Sequence, residues 1–504
     1  MVSAILSRRR AFWWRKFTSR NVLLLLIFLF IILLRFWKVA DLFNFTFSEE
    51  HQAHLAWEQV KNFHPIWIGV SAANINYYLG PGVTYLNALL FFLSKGDPVI
   101  LAYFSAILGL ATTISLYYLV KELFSKEAAL FTTIIYGGST LINFHDRRFW
   151  NPTPIPFVTV WFIFSLIKAQ KDTRWFILTA ILVGTAFHTH LTLLLFLVPA
   201  AFTAVRNIKK IKLSTWLAIV GCYLIITSPL IVFDLVHNFD NILMPYRVLT
   251  GKQRPALETF TRQNTISHIK ELLSATGRIW FIKFNTNPQD QIVLESHADK
   301  APGNIALSLL SFLALGSFLL KNRRKGYESF FISFFVILTA FILYPSYNPE
   351  YYLMSFLTLL TVAIGFWLNE IPKPLAFVVV VFFLIVNLVT VLTMSTKYGL
   401  MAKKKLIRAT MNTIKNQSFT LQTDGALVEK DFTYAGWRYL FKAYGKTPTQ
   451  SNIDKVLGWI YPDELSQKKS KLKVIVADTV ELNLSEKPLA VYQVGVYRAY
   501  VFRN

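Results

Sequence analysis

What most constrains this chain is a succession of apolar runs, each near the length of a bilayer-spanning helix, separated by short basic loops. Runs at residues 98–120, 128–143, 153–168, 175–188, 190–205, 213–233, 303–320, 329–345, 351–368 and 374–396 follow a first one, "NVLLLLIFLFIILL". Together they make about eleven spans of a polytopic membrane protein. The composition agrees: 54% of residues are hydrophobic and only 16% are charged, so most of the chain must be solvated by something other than water. The net charge of +24 does not point to nucleic acid. It is concentrated in "KELFSKE", "KAQKDTR", "RNIKKIK" and "KNRRK", beside the apolar runs, where a positive-inside bias places it on the cytoplasmic face.

The first twenty residues, "MVSAILSRRRAFWWRKFTSR", carry six basic residues and no acidic one, which assigns the N-terminus to the cytoplasm. The following run is long and no small-residue cleavage site ends it, so the expectation is a retained span rather than a signal peptide. One further run, "YYLGPGVTYLNALLFFL" at 77–93, contains Gly80, Pro81 and Gly82. Counting it as a span inverts every later loop, so it is expected to lie at the outer interface, packed on the bundle. The outer face then receives residues 41–97, "NFHDRRFWNP", a loop from 234 to 303, "YPSYNPEYY" and everything after 396. The lone Cys222 lies in an apolar run and allows no intramolecular disulfide.

Residues 397–504 change character. An amphipathic helix ("KKLIRATMNTIKNQ"), a strand ("GALVE"), an aromatic helix ("GWRYLFKAYG") and two β-rich stretches ("KVIVADTVEL", "AVYQVGVYRAYVF") predict a small α/β extracytoplasmic domain following a transmembrane domain over 1–396.

Apart from Arg35 and histidines near span ends, the runs hold almost no ionisable group, which argues against an ion-coupled transporter. The chemistry gathers in the outer loops. Glu49 and Glu50, near His51 and His54, follow an aromatic stretch that holds them close to the interface. Either they include a general base for an attacking hydroxyl, or they are first-turn acids of a helix capped by Ser48. Arg147 and Arg148, after Asp146, have the fork geometry that grips a phosphate, or are interfacial arginines at a helix end, with Asp146 as a salt-bridge partner. His188 and His190, two apart, point to different faces of a helix, so they suit hydrogen bonds to a phosphate, a sugar or a neighbouring helix better than a shared metal. Glu350 and Tyr351 open another helix at the outer surface, where an aromatic belt also explains the tyrosines.

In their order and spacing, "FTFSEE", "YYLGPGVTYL", "GDPVILAYFSAILGLATTISLYYLVKELF", "RRFWNP" and "THLTLLLFLVPA" resemble the C-type (GT-C) membrane glycosyltransferases. Within these the chain is most similar to the family of protein O-mannosyltransferases and the aminoarabinose transferase of lipid A (family 39-like). The resemblance is strongest over residues 20–240. It implies a GT-C fold, a polyprenyl-phosphate-linked sugar donor and inverting transfer at the outer face. It also implies an Asp-Glu pair in the first outer loop with the aspartate as base. Here Phe47-Ser48-Glu49 stands in that place, so Glu49 or Glu50 takes over the role, or the protein binds without turnover.

The reading is therefore a multi-pass cell-membrane glycosyltransferase acting on a lipid, glycan or protein hydroxyl at the extracytoplasmic face. Glu49 or Glu50 serves as base, Arg147 and Arg148 hold the donor phosphate, and His54, Asp146, Asn151, His190, Glu350 and Tyr351 contact substrate. No cofactor or metal site is required, a divalent cation being compatible but unnecessary, and the lipid bilayer is a partner. Two alternatives remain: a non-catalytic glycolipid-binding or assembly protein on the same fold, and a lipid-linked sugar flippase.

Overall fold

The computed structural model describes residues 19–72, 77–250, 265–282, 301, 303–322, 326–344, 349–396, 398–424, 436–478 and 486–504. All the apolar runs form helices. In chain order these are α1 (Ser19–Phe36), then, after the loop helices α2 (Phe47–Asn62) and α3 (Gly82–Ser94), α4 (Val99–Leu123) and α5 (Lys126–Gly138) with its extension α6 (Thr140–His145). They continue as α7 (Ile155–Ala169), α8 (Trp175–Thr189), α9 (Leu197–Asn207) and α10 (Leu213–Val236), then α11 (Thr265–Arg278) in the loop, and α12 (Ile305–Lys321), α13 (Glu328–Leu343), α14 (Met354–Glu370) and α15 (Lys373–Thr393). Among the described residues five segments, Val99–Leu123, Leu191–Lys210, Leu213–Val236, Glu350–Glu370 and Lys373–Thr393, are long and apolar enough to cross a membrane.

The bundle is organised around α14, whose residues Met354 to Gly365 are all buried. It packs on α5 at close range: a Cβ on Gly365 would lie 2.2 Å from the Thr132 hydroxyl oxygen, so only glycine lets these backbones meet. By contrast α10 and α15 keep Leu217, Ile225, Leu235, Phe377 and Phe382 exposed, the outer surface expected of helices solvated by lipid. Pro154 caps α7 and Pro156 sits in its first turn, so the prolines of "NPTPIP" open a helix.

The ambiguous run at 77–93 divides. Tyr77–Tyr78 pairs antiparallel with Ser71–Ala72, forming β2 and β1, and the remainder is α3. With 13 residues, α3 is about 20 Å long, too short to cross a hydrocarbon core. Its inner face buries Val83, Asn87, Leu90 and Phe91, while Tyr85, Leu89, Phe92 and Leu93 are exposed, a face suited to lipid. Gly80 and Gly82 are required because a Cβ at either would strike His188, at 2.2 Å from its Nδ1 and 2.9 Å from its Cβ respectively. The His188 ring is the clamp on the segment: Gly82 N–H donates to Nδ1 at 3.0 Å while Nε2 contacts the Ile226 carbonyl at 2.8 Å. Of the uses open to His188, the structure shows the neighbouring-helix contact.

The C-terminal part folds as α16 (Leu400–Ile414), α17 (Trp437–Tyr444) and a five-stranded mixed sheet, order β4-β3-β5-β7-β6. Its strands are β3 (Phe419–Asp424), β4 (Gln450–Ser451), β5 (Leu472–Asp478), β6 (Ala490–Val494) and β7 (Tyr497–Arg503). β3 runs parallel to β4 and β5, and β7 is antiparallel to β5 and β6. In α16, Leu400, Lys403, Leu406, Ile407, Thr410 and Ile414 are buried, the three-and-four spacing of a helix laid on a sheet. The expected strand "GALVE" lies outside the described residues. The sheet is continuous with the first loop through one apolar core that joins Phe45, Ala53 and Phe91 to Leu406, Val474 and Val501. Tyr439 stacks there between Phe91 and Phe45, at centroid separations of 5.7 Å and 5.9 Å. The C-terminal part is thus docked on α2 and α3.

Candidate active site

The site is built from the start of α2. "TFSE" is a capping box: Thr46 N–H donates to Glu49 Oε2 at 2.9 Å, the Thr46 hydroxyl donates to the same oxygen, and the helix begins at Phe47. This corrects the expectation that Ser48 is the cap. The reciprocal bonds need a glutamate three residues after the cap, which Thr46 has and Ser48 lacks.

Consecutive helical residues point about 100° apart, and Glu49 and Glu50 consequently face different neighbours. Glu49 lines a cavity, and its Oε1 lies 3.9 Å from Arg148 Nε. Glu50 is fully buried against the C-terminal part, where its carboxylate accepts N–H bonds from Gly436 at 2.9 Å and Tyr439 at 2.8 Å. Burial pushes its carboxyl up from the usual glutamate value, the backbone donors offsetting this in part. It caps α17 and is turned away from any substrate space. His54, one turn on, is buried between Tyr461 and Tyr439 (centroids 4.3 Å and 5.2 Å) and also serves this interface.

The two arginines separate in the same way. Arg147 is turned into the bundle, where it donates to the carbonyls of Leu34 at 2.9 Å and Trp37 at 3.4 Å and so closes the end of α1. Burial pushes its guanidinium down to about 10. Asp146 pairs with Arg35, 2.9 Å away and fully buried, which also donates to the Gly137 carbonyl. This accounts for the charge that follows the first run directly. Arg148 instead lies against the cavity wall, its guanidinium 3.8 Å over the Trp150 ring. Its backbone is fixed by Thr153 and Ser105, whose hydroxyls donate to the Arg148 carbonyl at 2.7 Å and 3.2 Å.

The cavity, about 760 Å³, opens between the start of α2, α3, the turn after Arg148, the segment joining α8 to α9, α13 and the turn before α14. Glu49, Gln52, Asn87, Trp150, Asn151, His190, Tyr351 and Tyr352 all line it. Trp150 meets the Tyr351 edge at 4.5 Å, and His190 lies 5.6 Å and 5.2 Å from Tyr351 and Tyr352. Burial pushes the His190 imidazole down to about 4, so the ring is neutral at pH 7. Among the described residues, Glu49 is the one carboxylate on the lining.

Of the residues singled out in the sequence, Glu49, Asn151, His190 and Tyr351 meet on this cavity, with Arg148 at its wall. Glu50, His54, Asp146, Arg147 and Glu350 are held elsewhere. Glu350 is buried in an ion pair with Arg278 at 2.7 Å, and Arg278 also bonds Ser274 Oγ and the Ala301 carbonyl. It braces the turn carrying Tyr351 and Tyr352. Sequence reasoning missed Gln52, Asn87 and Trp150. The signal for Gln52 was its position three residues after Glu49, on one helical face. Among the described residues no group of three His, Cys, Asp or Glu is placed to hold a metal ion.

A family model, dolichyl-phosphate-mannose-protein mannosyltransferase, matches residues 79–233. No curated protein matches significantly. Among solved structures, ArnT from Cupriavidus metallidurans is similar to this chain in two states. The form bound to undecaprenyl phosphate gives a TM-score of 0.60 at 12% identity, and the apo form 0.61 at 10%, each covering 96% of this chain and 98% of ArnT. The archaeal oligosaccharyltransferase AglB from Archaeoglobus fulgidus, in complex with an inhibitory peptide and a dolichol phosphate, gives 0.47 at 12% identity over 93% of this chain and 70% of AglB. This chain has the GT-C fold of the polytopic membrane glycosyltransferases.

Proposed function

We propose that the protein is a membrane glycosyltransferase that moves a sugar from a polyprenyl phosphate to an acceptor hydroxyl. The observation that carries this is the Glu49–Arg148 pair beside an aromatic-walled cavity, in a fold whose solved example ArnT binds undecaprenyl phosphate. In the proposed step the acceptor oxygen attacks the anomeric carbon while the bond from that carbon to the phosphate oxygen breaks. Glu49 Oε1 takes the hydroxyl proton, and the electron pair leaves on the phosphate. Arg148 stabilises that growing negative charge, a contribution larger in the transition state than in the ground state. A single displacement inverts the anomeric centre. Arg148 supplies the fixed positive charge this needs, so a divalent cation is compatible with the step and not required by it.

The basic N-terminal tail and loops support an orientation with the tail in the cytoplasm, which puts the cavity and the C-terminal part on the extracytoplasmic side. The acceptor is then a lipid, glycan or protein hydroxyl exposed there. The test uses the purified protein in nanodiscs with polyprenyl-phosphate sugar and acceptor pools. Wild type should turn over, while Glu49→Gln and Arg148→Gln each lower kcat about 100-fold or more. A second reading, a glycolipid-binding protein without turnover, is favoured by the hold of Thr46 on Glu49 Oε2 and by Ser48 at the position of the expected aspartate. Saturable lipid binding with no turnover by wild type would establish it.

A further inference from the structure

Two polar atoms on the cavity-lining faces of α2 and α3 have no partner. Gln52 Nε2 and Asn87 Oδ1 are both buried without a hydrogen bond, in side chains 9% and 2% exposed. The two helices are tied at this level, since the Thr84 hydroxyl donates to Gln52 Oε1 at 2.8 Å. Asn87 follows Thr84 by one turn. The Ser71 hydroxyl, on the strand lining the same cavity, is likewise buried and unpaired. Each such atom costs about 1–3 kcal/mol unless something bonds it. An N–H donor and a carbonyl acceptor on one cavity, neither of them charged, do not suit a phosphate. They complement groups that both donate and accept, which is the property of a hydroxyl.

We propose that Gln52 and Asn87 form a carbohydrate subsite: one hydroxyl of a pyranose accepts from Gln52 Nε2 and another donates to Asn87 Oδ1. Gln52 lies one turn beyond Glu49 on the same face of α2, so the subsite grips the sugar beside the carboxylate assigned to proton transfer. The inference rests on the glycosyltransferase reading for the kind of molecule that fills the cavity. It adds which residues select the sugar, because a buried pair built for hydroxyls discriminates strongly against an analogue lacking one.

Binding of methyl glycosides of mannose, glucose, galactose and arabinose, measured by saturation-transfer NMR on the full chain in nanodiscs, tests this without requiring turnover. At least one should bind wild type saturably. Gln52→Met and Asn87→Leu should each weaken it tenfold or more, and a deoxy glycoside lacking the selected hydroxyl should bind wild type and variant alike. Asn87→Ser, smaller and polar, keeps the test open if Asn87→Leu fails to fold. Displacement of the glycoside by undecaprenyl-phosphate-linked mannose assigns the subsite to the donor sugar, and simultaneous binding assigns it to the acceptor. Unchanged affinity in the variants, or no glycoside binding by wild type, overturns the proposal. Glycoside binding without transfer would end the glycosyltransferase reading and leave the subsite standing.

Discussion

Glu50→Ala should loosen the C-terminal part from α2. In the structure the carboxylate of Glu50 receives the N–H groups of Gly436 and Tyr439, at 2.9 Å and 2.8 Å, in a fully buried setting. Alanine leaves two buried backbone donors unsatisfied at about 1–3 kcal/mol each, or about 2–6 kcal/mol together. Releasing a carboxylate from a site that desolvates it offsets part of this, which puts the expected loss at about 2–4 kcal/mol. Glu50→Gln keeps one oxygen acceptor and turns an NH2 toward the other donor, so it should fall between alanine and wild type. Thermal unfolding followed by tryptophan fluorescence reads the loss, and limited proteolysis of the C-terminal part should quicken in the same order. Two outcomes refute the reasoning: unchanged melting and proteolysis in Glu50→Ala, or lost turnover with full stability in Glu50→Gln, which would make Glu50 the base instead.

The neighbouring arginines should part company. Arg147→Ala, which uncaps the Leu34 and Trp37 carbonyls at the end of α1, should cost about 2–4 kcal/mol of stability. Arg148→Ala should leave the melting temperature within a few degrees but remove most transfer. Gly80→Ala should destabilise through collision with the His188 ring, and adding His188→Ala should recover part of the loss, measured as a double-mutant cycle of melting temperatures. His54 is held below its ordinary pKa by burial, with Lys442 and Arg438 adding to the effect. Its contribution to stability is thus present above about pH 6.5 and is lost as the pH falls below that. His54→Phe should flatten the acid limb of the melting-temperature profile, and an unaltered limb would show that another group sets it.

The helical membrane fold was legible because the apolar runs announce themselves by composition, and they form helices in the structure. The run at 77–93 shortens to a 13-residue helix because Pro81, at its N-cap, starts the helix there. The candidate site was harder to read, because pairs of adjacent residues with the same chemistry have different neighbours. Nothing in "SEE" or "DRR" says that Glu49 faces a cavity and Glu50 the Gly436 amide, or that Arg148 rests on Trp150 while Arg147 closes α1. Those choices follow from the phase of one helical turn and from partners hundreds of residues away. Glu350 was similarly opaque, since its partner Arg278 ends a helix 72 residues away and nothing in either segment pairs the two. The cap at Thr46 was accessible to sequence reasoning, as Thr-x-x-Glu is a recognisable pattern, but the nearer serine drew the assignment.

The first turn of α2 joins two tasks in adjacent residues, one carboxylate in the cavity and the next in the docked sheet domain. A short rigid helix transmits rotation, so any tilt of the docked part that carries Glu50 must also swing Glu49 relative to Arg148. The C-terminal part therefore acts as a bearing for the first turn of α2, and its fit against α2 and α3 bears on the direction in which Glu49 points. Evolution of one is restrained by the other: a change at the sheet interface registers across a single peptide unit as a change at the cavity wall.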